Sequence, residues 1–206
     1  MGVAADGGRL GPVRLAWAEP SRREVSLSLV DQQRLVGFPP ARQVAFRTGR
    51  DLLTGLIRPL VPASGWEVTT GACRHCGQLH GAVIVTGASV EVSVSYSAGI
   101  VVAAAAPASD VGKLGVDVEA DLPDPVRDAH LRRLLGGRSE APLRHWCRVE
   151  ALLKADGRGL RVDPATVRLD DPAYQVRDVA GPPGFLISLA WTWPAVSVTL
   201  PGAARG

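Results

Sequence analysis

Apolar and polar positions alternate, or run together in short blocks, along most of the chain, and such blocks predict strands. Residues 13–18 (VRLAWA) and 24–30 (EVSLSLV) are the first two. After Pro39 and Pro40 the period changes. Phe46, Leu53, Ile57 and Leu60 recur near 3.6 residues, which predicts a helix over 41–58 with one core-facing stripe, ended by Pro59 and Pro62. Strands are then expected at 66–70, 83–86, 90–95 and 100–105, separated by glycine, serine and alanine turns. A second round begins near Pro107, with a strand at 114–119, a turn at 121–125 and helices at 126–135 and 142–156. Pro142 opens the last helix and Gly157 stops it. Further strands are expected at 165–170, 173–179, 185–191 and 195–200.

Strands, helix and strands thus occur about twice, in halves 1–108 and 109–206, with no internal sequence repeat. Helices inserted among strand runs predict an α+β fold. With 206 residues, 46% hydrophobic and 21% charged, usage is ordinary for a globular domain and excludes collagen-like, coiled-coil and disordered classes. The longest apolar run, 100–106, falls far short of the ~20 residues a bilayer crossing needs. The start, MGVAADGGRLGP, lacks a basic segment followed by an apolar one, so the expectation is a cytoplasmic chain. Three cysteines, an odd number, fit a reducing compartment.

The formal charge of +3 is carried almost wholly by arginine, because Lys113 and Lys154 are the only lysines. Such a surplus suits a phosphate-bearing ligand or an acidic protein partner. It is too small and too scattered for a nucleic-acid reader, with no basic run interleaved with aromatics.

Chemistry concentrates in two segments. In Gly115-Val116-Asp117-Val118-Glu119, strand alternation puts Asp117 and Glu119 on one side and the valines in the core. Two carboxylates ~4 Å apart near a surface repel by about 4 kcal/mol, which a divalent cation removes. Oxygen-only ligands select magnesium or calcium. Taken alone, this D-x-E reads rather as an exposed edge strand with two hydrated acids. The second segment runs from Trp146 to Lys154 on the helix that Gly157 ends. Glu150 and Lys154 share a face, and Leu143 and Trp146 precede Glu150 on that side along the apolar stripe. A carboxylate there is partly desolvated and needs a partner. An ordinary exposed Glu–Lys pair is the alternative.

Together, GVDVE and WCRVEALLKADGRGL resemble the signature of 4′-phosphopantetheinyl transferases of the Sfp type, G-[IV]-D-[IV]-E then W-x-x-K-E-[AS]-x-x-K-x-x-G-x-G-L. SVSYSAG (93–99) is similar to that family's S-x-S-H-S-x-G strand. CRHCG with His80-Gly81 resembles the C-x-x-C-G-x-x-H-G segment of many actinobacterial members, and FRTGRDLL (46–53) an early G-R-x-L-L helix. The motifs cover residues 45–160 in the family's order.

The resemblance implies two similar, pseudo-twofold-related halves, each a small antiparallel sheet packed with helices, and an active site between them. It implies magnesium as cofactor, coenzyme A as co-substrate, and an apo acyl or peptidyl carrier protein as partner. The phosphopantetheine arm would pass to a carrier serine, with release of adenosine 3′,5′-bisphosphate, by a monomeric enzyme. Matched residue by residue, Asp117, Glu119 and Glu150 become the metal ligands. Glu150, or a metal-bound water beside it, would take the serine proton, and Lys154 would neutralise phosphate charge.

The resemblance also implies that Ser95 and Tyr96 stand at coenzyme-binding positions. Tyr96 replaces the family histidine and retains one hydrogen-bond donor. The chain also has Ala82 and Val83 for the family's Lys-Pro, Val149 for the first lysine of K-E-A-x-x-K, and Ala45 for a basic residue. Arg42, Arg47 or Arg50 would compensate, since a guanidinium grips phosphate bidentately. The alternatives are a degenerate homologue that binds carrier or coenzyme A without turnover, and another metal-dependent phosphoryl transferase.

Cys73, Cys76, His75 and His80 suggest zinc, but a structural site normally takes four ligands in two pairs. With no second pair, a turn of reduced thiols is the expected reading. Cys147 reads as a small helix residue. Gly157-Arg158-Gly159 follows a helix and reads as a helix stop, not a phosphate loop.

Overall fold

The computed structural model describes residues 6–137 and 139–195. It is an α+β fold with two principal antiparallel sheets. The first sheet has the order β1-β2-β6-β5, from β1 (Asp6–Leu10), β2 (Val13–Ala18), β5 (Val90–Ser97) and β6 (Ile100–Pro107). The second has the order β7-β9-β8, from β7 (Lys113–Ala120), β8 (Gln175–Val179) and β9 (Phe185–Thr192). The short ribbon of β3 (Glu67–Thr70) and β4 (Val83–Thr86) lies beside the first sheet. Residues up to 107 build the first sheet and residues from 113 the second.

Strand alternation sorts the side chains into layers. Val102, Ala104 and Ala106 of β6 meet Val116 and Val118 of β7 and Leu189 of β9 in the core between the sheets. On the opposite face of β6, Val101, Ala103 and Ala105 pack on Leu53, Leu56 and Ile57 of helix α2 (Pro40–Ile57). Helix α4 (Pro142–Asp156) covers the outer face of the second sheet through Ala151, Leu152, Ala155 and Ala190. Helix α3 (Pro125–Leu134) starts at Asp124, whose side chain accepts from the Arg127 N–H. The order is helix, sheet, sheet, helix. No described helix is long and apolar enough to cross a membrane.

Two expected strands are absent. Residues 24–28 are irregular, and helix α1 (Leu29–Val36) follows. Ser28 caps it by accepting from the Asp31 N–H at 3.1 Å, and Asp31 is fully buried against Arg50, an ion pair that a strand at 24–30 would not form. The expected strand at 165–170 is a 3-10 turn (Pro164–Thr166) and loop, because Asp163 caps Ala165 N–H and Val167 and Leu169 pack on α4 without a ladder. The strand expected at 195–200 lies outside the described residues beyond Ala195. A strand that the pattern did not predict, β1, pairs with β2 through a turn at Gly11, where φ is +57°.

Candidate active site

Helix α4 lies directly on β7. A Cβ at Gly115 would collide with the Ala151 carbonyl oxygen and stand 2.5 Å from the Ala155 amide nitrogen, so only glycine admits this approach. Alternation then aims Asp117 at the same helix. Its Oδ1 accepts from Lys154 Nζ at 2.6 Å and from Ser95 Oγ at 2.8 Å, while Lys154 Nζ also donates to Ser95 Oγ at 2.7 Å. Asp117 is buried, and its Oδ2 has no hydrogen-bond partner. Glu119 Oε1 accepts from Trp146 Nε1 at 3.1 Å.

Burial, and then the Asp117 charge, push the Glu119 carboxyl above its ordinary value. For Glu150 burial again leads; it outweighs the Lys154 ammonium, and Asp117 and Glu119 add to it. The three acids therefore share one electrostatic neighbourhood. Their oxygens do not all lie within 4.8 Å of one another, a condition met among the described residues by Cys73, Cys76 and His80. For a hard dication the fit is partial. The donor set is all oxygen, and one buried oxygen is orphaned, but a lysine holds the other oxygen of Asp117.

Serines hold β7 to β5. Ser93 Oγ accepts from the Val116 N–H at 3.0 Å and Ser97 Oγ from the Ala120 N–H at 3.2 Å, with Ser95 between them on Asp117. The alternating serines of SVSYS join the two sheets at the site.

Beside this seam opens a cavity of about 750 Å³. Arg34, Arg42, Arg50 and Tyr96 line it, together with Lys154 of α4 and Gly157 at the end of that helix. Arg50 is buried, with Nε 2.6 Å from Asp31 Oδ2 and Nη2 3.1 Å from Thr70 Oγ1, yet its Nη1 has no partner. Arg34 donates to Thr70 Oγ1 at 2.7 Å, and desolvation and Arg50 push its guanidinium below the usual value. Arg42 stacks over Phe38 at 4.3 Å. Tyr96 lies along α2 where Gly49 leaves room, since a Cβ at Gly49 would be 2.7 Å from its hydroxyl.

The structure brings together Asp117, Glu119, Glu150, Lys154 and Ser95, and sets Tyr96, Arg42 and Arg50 around the adjoining cavity. Arg47 is not among them. It faces the other side of α2, in a cavity of about 340 Å³ with Arg23 and Asp51. Sequence reasoning missed Asp31 and Arg34 because they follow directly on a run, 24–30, that reads as a strand; the Ser28-x-x-Asp31 cap is the signal that marks a helix there. Asp178 of β8 was also missed. It accepts from Arg144 at 2.8 Å and from Arg148 at 2.7 Å, fastening α4 to the sheet. Burial opposes its ionisation, but those arginines and Ser188 hold its carboxyl at about 2. Cys147 is buried and its thiol is pushed far up by that burial, which leaves it inert. No family model matches the sequence, and no curated protein matches it either.

Proposed function

We propose that this chain is a magnesium-dependent 4′-phosphopantetheinyl transferase of the Sfp type, which moves the arm of coenzyme A onto a serine of an apo acyl or peptidyl carrier protein. One observation carries the reading: Lys154 and Ser95 bridge a cationic cavity to a cluster of three carboxylates, with an unpartnered oxygen of Asp117 buried among them. A diphosphate with an adjacent anionic end requires that pairing of cationic and cation-holding surfaces. The layered arrangement, one antiparallel sheet with one long helix per half, supports the two-half fold that goes with this activity.

Asp117, Glu119 and Glu150 would hold the magnesium, which supplies charge neutralisation at the diphosphate when bound. The chain's own groups do the rest. Arg34, Arg42 and the free Nη1 of Arg50 bind phosphate oxygens of the coenzyme, and the Tyr96 hydroxyl adds a donor. Lys154 offsets charge on the leaving adenosine bisphosphate as the phosphorus–oxygen bond of the diphosphate breaks. Glu150, kept basic-poised by burial, takes the proton of the carrier serine as its oxygen bonds to phosphorus.

The Lys154–Asp117 contact also favours a second reading, a chain that binds coenzyme A or carrier without transfer, because the lysine stands where an ion would draw on Asp117. Incubation with coenzyme A, magnesium and a panel of apo-carriers separates the two. A mass gain of one phosphopantetheine on a carrier, lost in Asp117→Ala, supports transfer. Calorimetric binding of coenzyme A with no mass gain on any carrier supports the second reading.

A further inference from the structure

A second group of reactive side chains stands on the hairpin that reaches the cavity through Gly81 and Ala82, and it shares no residue with the carboxylate cluster. Residues 71–82 join β3 to β4 as a closed hairpin: Gly71 N–H bonds Ala82 O at 2.8 Å, Cys73 N–H bonds Gln78 O at 2.7 Å, and Gly77 N–H bonds Cys73 O at 2.9 Å. Gly77 has φ of +73°, and a Cβ at Gly81 would lie 2.5 Å from Ala72 O, so both positions need glycine. This backbone throws Cys73, Cys76 and His80 to one side. Their ligand atoms all lie within 4.8 Å of one another, with Cys76 Sγ 3.0 Å from His80 Nε2. The N–H groups of His75 and Cys76 point at the Cys73 sulfur, and Arg161 Nη2 stands 3.9 Å from it.

Apolar packing does not hold this hairpin. No residue from Ala72 to Ala82 is buried, and Leu79 is 49% exposed. Ordering a backbone costs about 1–2 kcal/mol per residue, and each hydrogen bond returns only about 1 kcal/mol.

We propose that Cys73, Cys76 and His80 bind one zinc ion, with a solvent molecule in the fourth position, and that this ion holds the 71–82 hairpin at the cavity rim. Two thiolates and an imidazole select zinc over the hard dications of the carboxylate site. Zn–S near 2.3 Å and Zn–N near 2.0 Å give tetrahedral edges of about 3.5–3.8 Å, so Cys76 and His80 need part by about half an ångström. The Arg161 guanidinium and the two N–H groups supply the outer hydrogen bonds that thiolate ligands take. The ion would also shape the cavity, because Gly81 and Ala82 line it and Arg74 packs on Gly157 at the end of α4.

The test uses the whole chain, stripped of metal under reducing conditions and titrated with zinc against a chromophoric chelator, then with cobalt. The expected result is one zinc per chain with nanomolar-order affinity, and in the cobalt form a thiolate-to-metal charge-transfer band with intense tetrahedral visible bands. Cys76→Ser and His80→Ala each weaken zinc by more than about 100-fold, and His75→Ala leaves it unchanged. Zinc removal accelerates tryptic cleavage after Arg74. If Cys76→Ser does not fold, the two histidine variants decide. Affinity no better than micromolar, equal loss in His75→Ala and His80→Ala, or a Cys73–Cys76 disulfide in reduced preparations overturns the proposal. None of these outcomes bears on the transferase reading, whose test does not involve these residues.

Discussion

Lys154 Nζ lies 2.6 Å from Asp117 Oδ1, a contact between the last turn of α4 and the middle of β7. Asp117 is almost wholly enclosed, so this ammonium provides most of its charge compensation. The same ammonium competes with any cation that draws on Asp117.

Lys154→Met separates these roles. Transfer to an apo-carrier should fall by about 10²–10³, the usual loss when one preorganised charge is removed. Manganese binding, followed by calorimetry or electron paramagnetic resonance, should tighten by at least about tenfold, since a unit charge a few ångströms away is worth more than 1.4 kcal/mol even at a surface-like dielectric. Unchanged manganese affinity would show that Lys154 and the ion do not share Asp117.

Glu150→Gln should trade activity for stability. Burial raises the Glu150 carboxyl, so its contribution to stability is present below the ordinary carboxylate range and lost as pH rises through the raised value. At neutral pH the variant should be more stable by ~0.5–2 kcal/mol in urea unfolding, while transfer is lost. The stability gap should close as the pH is lowered; a gap that widens on acidification contradicts the assigned direction.

Asp178→Asn probes the opposite sign. The native carboxyl titrates at about 2, below its ordinary value of 3.8, so its contribution is present above 3.8 and is lost as pH falls through 2. The arginines are partly solvated, so the neutral-pH cost is only about 1–2 kcal/mol. The difference between wild type and variant should vanish in acid unfolding near pH 2. Because Asp178 anchors Arg144 and Arg148 of α4, transfer should also fall several-fold.

Gly115→Ala is expected to be the most damaging small change. The added methyl meets backbone, which cannot rotate away, so α4 must lift from β7 at a cost above about 3 kcal/mol. Circular dichroism at 10 °C should show whether folded protein survives. Where it does, Lys154 and Glu150 will have moved from Asp117, and transfer should fall below detection while coenzyme A binding persists.

Helices α2 and α4 and the central strands were legible because their periodicity and burial agree. The buried run of β6, the alternation of β7 and the caps of α4 each point one way. Helix α1 was hidden because Val25, Leu27 and Leu29 mimic strand alternation, although Leu29 is 69% exposed. Its buried Asp31–Arg50 pair depends on a partner 19 residues away, which local pattern does not reveal. The four charged residues of GVDVE and VEALLK were visible through strand and helix spacing. Arg47 was misplaced because 42, 46 and 50 share a helical face, and a step of one residue turns a side chain about 100° away. The convergence of Cys73, Cys76 and His80 arises from a glycine turn whose closure becomes visible only in three dimensions.

The seam of Ser93, Ser95 and Ser97 makes the two sheets buttoned rather than zipped. An amide ladder must open in sequence, whereas each hydroxyl here can let go alone, at about 1 kcal/mol net. Releasing one serine therefore leaves the other two, and the apolar core between the sheets, in place. The middle button is also the one tied to Asp117 and Lys154, so undoing it would loosen the charged pair as well as the seam.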